Sequence, residues 1–376
     1  MDIELFLKII EKSTIYRNYH KYHVYLRSHM DKINVLTKNT EEVVTIEELK
    51  AVLRKDKPRA YIGFEPSGTV HLGWKICTNK IKDFLECGFD FTVLLADWHA
   101  YINDKLGGDI EKIKLCGRYM EDCFESMGVD KNKVKFVYAS DYVGDQKYWE
   151  LVLRTSKATS VKRVKRAMDI MGRDEDEAER DLSKLFYPAM QVSDIFYLEL
   201  DVAYGGMDQR HAHMLARDVS KKLGRKPPAA IHTPLLTGLQ AGGGRMDPIE
   251  IKMSKSKPDS MISIHDDPAS VKKKLSKAFC PEKQVDGNPI LELCKFVIFP
   301  ELKEDMFLIE RPEKFGGNLD FNSYEDLENA FVSGLHPLDL KNATASHVNK
   351  ILEPVHQYFE KHPENYDKMK KLGIIQ

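Results

Sequence analysis

Two stretches of the chain carry residue types suited to holding a polyphosphate. Residues Tyr61 to Trp74 read YIGFEPSGTVHLGW: a short strand-like run, a turn rich in glycine and proline, then His71-Leu72-Gly73 opening a helical pattern from Trp74 to Cys87. The free N–H groups and positive dipole end of a helix start favour an anion, and Gly63, Gly68 and Gly73 allow close approach of backbone and ligand. The second stretch is Lys252-Met253-Ser254-Lys255-Ser256, which follows a glycine-rich loop from Gly238 to Arg245. Two lysines and two hydroxyls can clamp and release a polyphosphate. No G-x-x-x-x-G-K-[ST] occurs, which excludes a Walker-type nucleotide site.

A third group could line a slot for a small polar molecule. The segment Phe186 to Asp194 mixes rings with polar groups, and on a helix Tyr187, Gln191 and Asp194 fall at i, i+4 and i+7, on one face. An ordinary amphipathic helix with a buried Tyr-Asp pair gives the same pattern. From Lys157 to Arg166 the chain has five basic residues and no acidic one, a stripe that suits phosphates or a solvated face.

These groups need a scaffold. Phe89 to Ala96 reads as a strand apolar on both faces, as in buried parallel sheets, and ends in Asp97-Trp98-His99, where open α/β sheets place ligands. Asp109 to Met127 is expected as a helix, Val134 to Ala139 as a strand, Asp145 to Gly172 as one long helix and Ala230 to Leu236 as a last strand. This alternation predicts a doubly wound parallel α/β sheet. After Asp266 amphipathic helices dominate: Pro268 to Phe279, Pro289 to Phe299, Ser323 to Val332 and Leu338 to Glu360. Residues 1–58 are expected to form an N-terminal helical appendage, in which Thr45 and Glu48 fit a capping box.

The 376 residues suffice for two domains, and 42% hydrophobic with 31% charged residues is ordinary for a globular chain. A net charge of −1 offers nucleic acid no global attraction, so RNA contacts must come from local basic patches. Six scattered cysteines without a C-x-x-C pair fit reduced thiols and no zinc site. No apolar run is long enough to span a bilayer and the N-terminus is unlike a signal peptide, so the expectation is a cytoplasmic protein with no membrane partner.

The order H-L-G then KMSKS, with YIGFEPSG before the first, resembles the signatures of class I aminoacyl-tRNA synthetases, and more narrowly the tyrosyl-tRNA synthetases of archaeal and eukaryotic type. The resemblance covers Thr45 to Phe359. It implies a Rossmann-like catalytic domain at 59–265 with inserted dimerisation helices from about Asp109 to Asp181, and a helical anticodon-binding domain at 266–376. It also implies a homodimer with L-tyrosine, ATP and tRNA(Tyr) as partners and no role for DNA. ATP enters as substrate, with magnesium on its phosphates and no dedicated protein metal site.

By that resemblance His71 donates to the reacting phosphate, and Lys252 and Lys255 neutralise the leaving pyrophosphate. Gly63, Gly73 and Lys255 border ATP. Tyr61 and Asp194 read the phenolic hydroxyl; Tyr187, Gln191 and Gln209 hold the ammonium end. Arg166 and Arg210 would touch the first acceptor-stem pair. The segments Arg311 to Gly317 and His336 to Lys341 resemble anticodon readers, with Phe315 stacking on a base, Asp339 accepting from guanine and His336 beside it. Phe315 as a core residue and Asp339 as a helix cap are the alternatives. Trp74 stands where the family motif has a second histidine, so that histidine's contact is not carried over. The rival functions are a tryptophanyl-tRNA synthetase and a non-catalytic RNA-binding paralogue.

Overall fold

The structure is a computed structural model that describes residues 30–168, 181–241, 253, 258–302 and 305–375. Its centre is a six-stranded sheet built from β1 (Glu42–Val44), β2 (Arg59–Phe64), β3 (Asp90–Leu95), β4 (Val134–Tyr138), β5 (Val202–Gly206) and β6 (Ala229–Thr233), in the order β1-β6-β5-β2-β3-β4. Five strands run parallel, and β1 pairs antiparallel with β6. The parallel α/β expectation therefore holds with one amendment: part of the expected helical appendage is an edge strand. Only three residues long, β1 is too short to show alternation in sequence, and pairing with β6 supplies its hydrogen bonds.

Alternate residues of the central strands enter opposite cores. Ala60, Ile62, Phe91, Val93, Val202 and Tyr204 join one apolar cluster, while Tyr61, Leu94 and Ala203 join the other. Against the sheet and its ends lie α1 (Ile46–Val52), α2 (Trp74–Glu86), α3 (Asp97–Ile102), α4 (Ile110–Ser126), α5 (Gln146–Ala158), α6 (Val161–Met168), α7 (Ser183–Tyr197) and α8 (Arg210–Ser220). The capping box of α1 is formed: the Glu48 N–H donates to Thr45 and the Thr45 N–H to Glu48.

The long helix expected from Asp145 is interrupted. Thr159 is extended (φ −122°, ψ −175°), ending α5, and the Ser160 hydroxyl accepts from the Arg163 N–H to start α6. A β-branched residue followed by a serine favours this break and recapping, which also divides the basic stripe. Residues 169–172 lie outside the described residues. β6 stops at Thr233, before Pro234.

The C-terminal part comprises α9 (Pro268–Lys277), α10 (Pro289–Leu293), a ribbon of β7 (Phe307–Ile309) and β8 (Leu319–Phe321), α11 (Tyr324–Ser333), α12 (Pro337–Lys361) and α13 (Glu364–Lys371). One apolar cluster runs from Val93 and Phe124 through Ile262 and Leu275 to Val348 and Phe359, so packing is continuous across residue 265. No helix among the described residues is long and apolar enough to cross a membrane.

Candidate active site

The C-terminal ends of β2, β3 and β5 open onto a cavity of about 330 Å³. Its lining includes Tyr61, Gly63, His71, Gly73, Tyr187, Gln191, Asp194 and Gln209, so residues spread over nearly 150 positions converge as expected. Met253 also lines it, with its N–H donating to the Leu236 carbonyl at 2.7 Å, which places that one residue of the lysine-bearing segment at the cavity wall. Lys252 and Lys255 themselves lie outside the described residues.

At the deep end stands Asp194, 1% exposed. Its Oδ1 accepts from the hydroxyls of Tyr142 and Tyr148 at 2.8 and 2.9 Å. Its Oδ2 is buried and takes no hydrogen bond among the described residues, while the His99 Nε2 lies within ion-pair distance of it, at 3.1 Å. A buried carboxylate oxygen without a hydrogen bond is costly unless a donor or a charge reaches it, and Asp194 lines the cavity together with His99 and Tyr61. Burial, then the Asp194 charge, pushes the Tyr61 phenol far above its ordinary range, so it stays a donor. Burial disfavours a charged His99, but the Asp194 carboxylate outweighs it and raises the imidazole above its usual value.

The opposite end is polar in another way. Gln191 Nε2 donates to Gln209 Oε1 at 2.9 Å, linking α7 to the turn after β5. That turn needs Gly205, because a side chain there would meet Gln209 Cβ and Cγ at 2.9 Å. Tyr187 packs edge-on against His99, ring centres 4.9 Å apart, and burial with the nearby Glu65 charge keeps its phenol protonated. Glu65 is itself held by Asn103 Nδ2 at 2.9 and 3.0 Å. Sequence reading missed Glu65, Asn103, Tyr142 and Tyr148. The polar run after β3 pointed toward Asn103, but nothing local marks the two tyrosines, which arrive from another crossover.

His71 lines the mouth. The Gly73 N–H donates to its Nδ1 at 3.2 Å, which places the neutral ring's proton on Nε2 as a donor. A side chain at Gly73 would meet that ring at 2.9 Å, so glycine lets the imidazole keep this position. The first N–H groups of α2 donate back to the carbonyls of His71, Leu72 and Gly73. Trp74 is 7% exposed and packs on Phe64 and Phe124 at 4.3 and 5.3 Å, so the position of the family's second histidine is given to core packing.

Elsewhere, Arg166 is exposed on α6, whereas Arg210 is bound in bidentate fashion by Glu42, at 2.7 and 2.8 Å. Phe315 is 62% exposed, which excludes the core reading. His336 is the N-cap of α12, its Nδ1 accepting from the Leu338 N–H at 3.2 Å, so Asp339 is not the cap. Asp339 sits in the first turn, its carboxylate without a hydrogen-bond partner among the described residues.

The family model for class I tRNA synthetases (W and Y) matches residues 19–353. The tyrosine–tRNA ligase of Sulfurisphaera tokodaii is 53% identical over 344 residues, 89% of this chain and 94% of that one. That of Sulfolobus acidocaldarius is 54% identical over 336 residues, 86% and 92% of the two chains. This chain belongs to the archaeal-type tyrosyl-tRNA synthetases. It is a tyrosine–tRNA ligase of class I fold, and the tryptophan-specific and non-catalytic alternatives gain no support. The tyrosyl-tRNA synthetase of Pyrococcus horikoshii, solved with L-tyrosine, superposes with a TM-score of 0.85 at 43% identity, over 91% of this chain and 99% of that one.

Proposed function

We propose that this tyrosyl-tRNA synthetase seats the tyrosine ring between Tyr61 and Tyr187, with its hydroxyl on Asp194 Oδ2 and its ammonium toward Tyr187, Gln191 and Gln209. The observation that carries this reading is the buried Asp194 in the cavity lining, whose Oδ1 accepts from two tyrosine hydroxyls while its Oδ2 takes no hydrogen bond among the described residues and has His99 beside it. A phenol supplies the missing donor; a phenylalanine ring leaves the carboxylate oxygen unpaired.

The tyrosine carboxylate then attacks the α-phosphorus of ATP, the bond to the bridging oxygen breaks, and pyrophosphate leaves. In the second step a ribose hydroxyl at the tRNA 3′ end attacks the acyl carbon and AMP departs. Positioning and charge neutralisation suffice for both steps. His71 Nε2 donates to the phosphate, Gly63 and Gly73 border the nucleotide, and the positive charges of Lys252 and Lys255 would neutralise the leaving pyrophosphate. Magnesium would enter with ATP, on its phosphates.

For tRNA, exposed Phe315 and unpartnered Asp339 fit reading of unstacked anticodon bases, with His336 beside them. Arg166, and Arg210 once released by Glu42, would take the acceptor end. Trp149, Leu153 and Leu182 are 41%, 63% and 70% exposed on or beside α5 and α7, which supports a homodimer through this face. With reduced cysteines, this fits a cytoplasmic enzyme whose catalytic, anticodon-binding and N-terminal parts divide near residues 58 and 265.

Pyrophosphate exchange into ATP with tyrosine, tryptophan and phenylalanine in parallel tests the reading. Exchange with tyrosine alone is expected; equal exchange with phenylalanine would overturn the role of Asp194.

A further inference from the structure

The segment that carries His71 is not self-supporting. Residues 70–72 pair with 262–264: the Leu72 N–H donates to the Ile262 carbonyl at 2.8 Å, the Ile264 N–H to the Val70 carbonyl at 3.2 Å, and His71 bridges to Ser263. The next residue after this pairing is His265, whose ring lies in a stack made by three other elements. Tyr366 of α13 lies flat on it, ring centres 4.0 Å apart at 19°. Phe359 of α12 meets its edge at 4.7 Å, and Tyr119 of α4 stacks at 5.8 Å with its hydroxyl 2.8 Å from Nε2.

The turn around His265 is pinned as well. The His265 N–H donates to the Ser263 hydroxyl, the Ser263 N–H to Asp266, and Lys274 of α9 closes on Asp266 at 2.6 Å. The chain's last turn returns to the same loop: the Ile374 carbonyl oxygen lies 3.6 Å from where a Gly68 side chain would begin, and Ile375 is buried. Burial lowers the His265 pKa to about 3, with His356 and Lys370 adding to the effect, so the ring stays neutral at working pH.

We infer that His265 is a positioning residue for the nucleotide end of the reaction: its stack holds residues 262–264, and through them His71, at the height the ATP phosphates require. The inference rests on the reading of His71 as the phosphate donor. The C-terminal helices thereby act in tyrosine activation, apart from any contact with tRNA. The same α12 that is capped by His336 reaches this stack at Phe359, about 34 Å further on at 1.5 Å per residue.

The test is pyrophosphate exchange by the full chain, with the KM values for ATP and for tyrosine measured separately and a thermal melt to follow folding. His265→Ala is expected to raise the KM for ATP about tenfold while that for tyrosine moves less than about twofold, since small misplacement of a reacting group is costly. His265→Phe, which keeps the stack, restores most of the loss. Tyr366→Leu, at a half-buried ring, shifts the ATP value in the same direction by less, and carries the test alone if His265→Ala does not fold. A merely structural role predicts a lower melting point and a smaller active fraction with both KM values unchanged; that result, or equal rises in both, overturns the inference. Wild-type protein that exchanges with tyrosine, beside variants with unchanged ATP dependence, sinks this inference alone. Wild-type protein that does not exchange sinks the functional reading and this inference together.

Discussion

The two ends of the cavity are built by opposite means. The end proposed for tyrosine is assembled from buried side chains on α7, β2 and the crossover after β4, with Asp194 Oδ1 held by two tyrosine hydroxyls and Gln191 bonded to Gln209, while Asp194 Oδ2 and the His99 ring nitrogens make no hydrogen bond among the described residues. The nucleotide end is made of loops: His71 bonds to its own glycine, and the neighbouring helix N–H groups are turned back on local carbonyls. Discrimination of an amino acid demands a rigid pocket whose polar atoms cannot relax around the wrong guest. Binding and release of a polyphosphate demand groups that can close and reopen, so they sit on segments held from outside.

If that contrast is right, damage at the amino-acid end costs more than damage at the nucleotide end. Asp194→Ala is expected to reduce tyrosine-dependent exchange by about a hundredfold or more, because it strands two buried tyrosine hydroxyls and removes the substrate's acceptor. Unchanged selectivity for tyrosine over phenylalanine would break the assignment. Gly205→Ala pushes Gln209 away from Gln191 and should raise the KM for tyrosine about tenfold, leaving that for ATP in place. Gly73→Ala displaces the His71 ring and should do the reverse, raising the KM for ATP by a comparable or smaller factor. Similar effects of both glycines on both substrates would erase the distinction between the two ends.

Remote from both ends, Asp339→Ala should lower tRNA charging about tenfold and disturb tyrosyl-adenylate formation far less, the loss of one hydrogen bond to a base. Equal loss of both steps would make Asp339 structural. Stability, as distinct from turnover, reports on the support beneath the nucleotide end. Lys75, the second residue of α2, is buried, donates to the Met127 carbonyl at 3.0 Å and pairs with Glu301 at 3.1 Å. Burial lowers its pKa from 10.5 to about 8, against the raising effect of Glu301. Between these values the unfolded chain holds more protons than the folded one, so stability rises with pH from about 8 to 10.5; below 8 both states are protonated and the dependence vanishes. Denaturation of Lys75→Met should lack that rise, a difference on the order of 3 kcal/mol across the window. An identical pH dependence in the variant would show that Lys75 is more solvated than its surroundings imply.

Much of the site was legible because its chemistry is local. His71 and Gly73 share one turn, and Tyr187, Gln191 and Asp194 share one helix face, so spacing groups them, while Gly205 to Gln209 were marked by the family resemblance. What spacing could not convey is how a group is completed by distant chain. Tyr142 and Tyr148 saturate one oxygen of Asp194, Glu42 occupies Arg210, and His265 supports His71 through rings from three helices. Trp74 is instructive in the same way: its identity departs from the motif, and only its contacts with Phe64 and Phe124 show that it packs the core.

The sequence by itself determined the α/β alternation, the glycine-framed turn at His71 and the helix face shared by Tyr187, Gln191 and Asp194, because periodicity and glycine geometry act over a few residues. Only the tertiary structure decided that β1 closes the sheet edge, that the helix after Asp145 breaks at Thr159, and that one carboxylate oxygen is satisfied while the other waits. Those outcomes depend on burial and on partners far away in the chain, and a hydrogen bond's worth is settled by whether the surroundings leave its atom another partner.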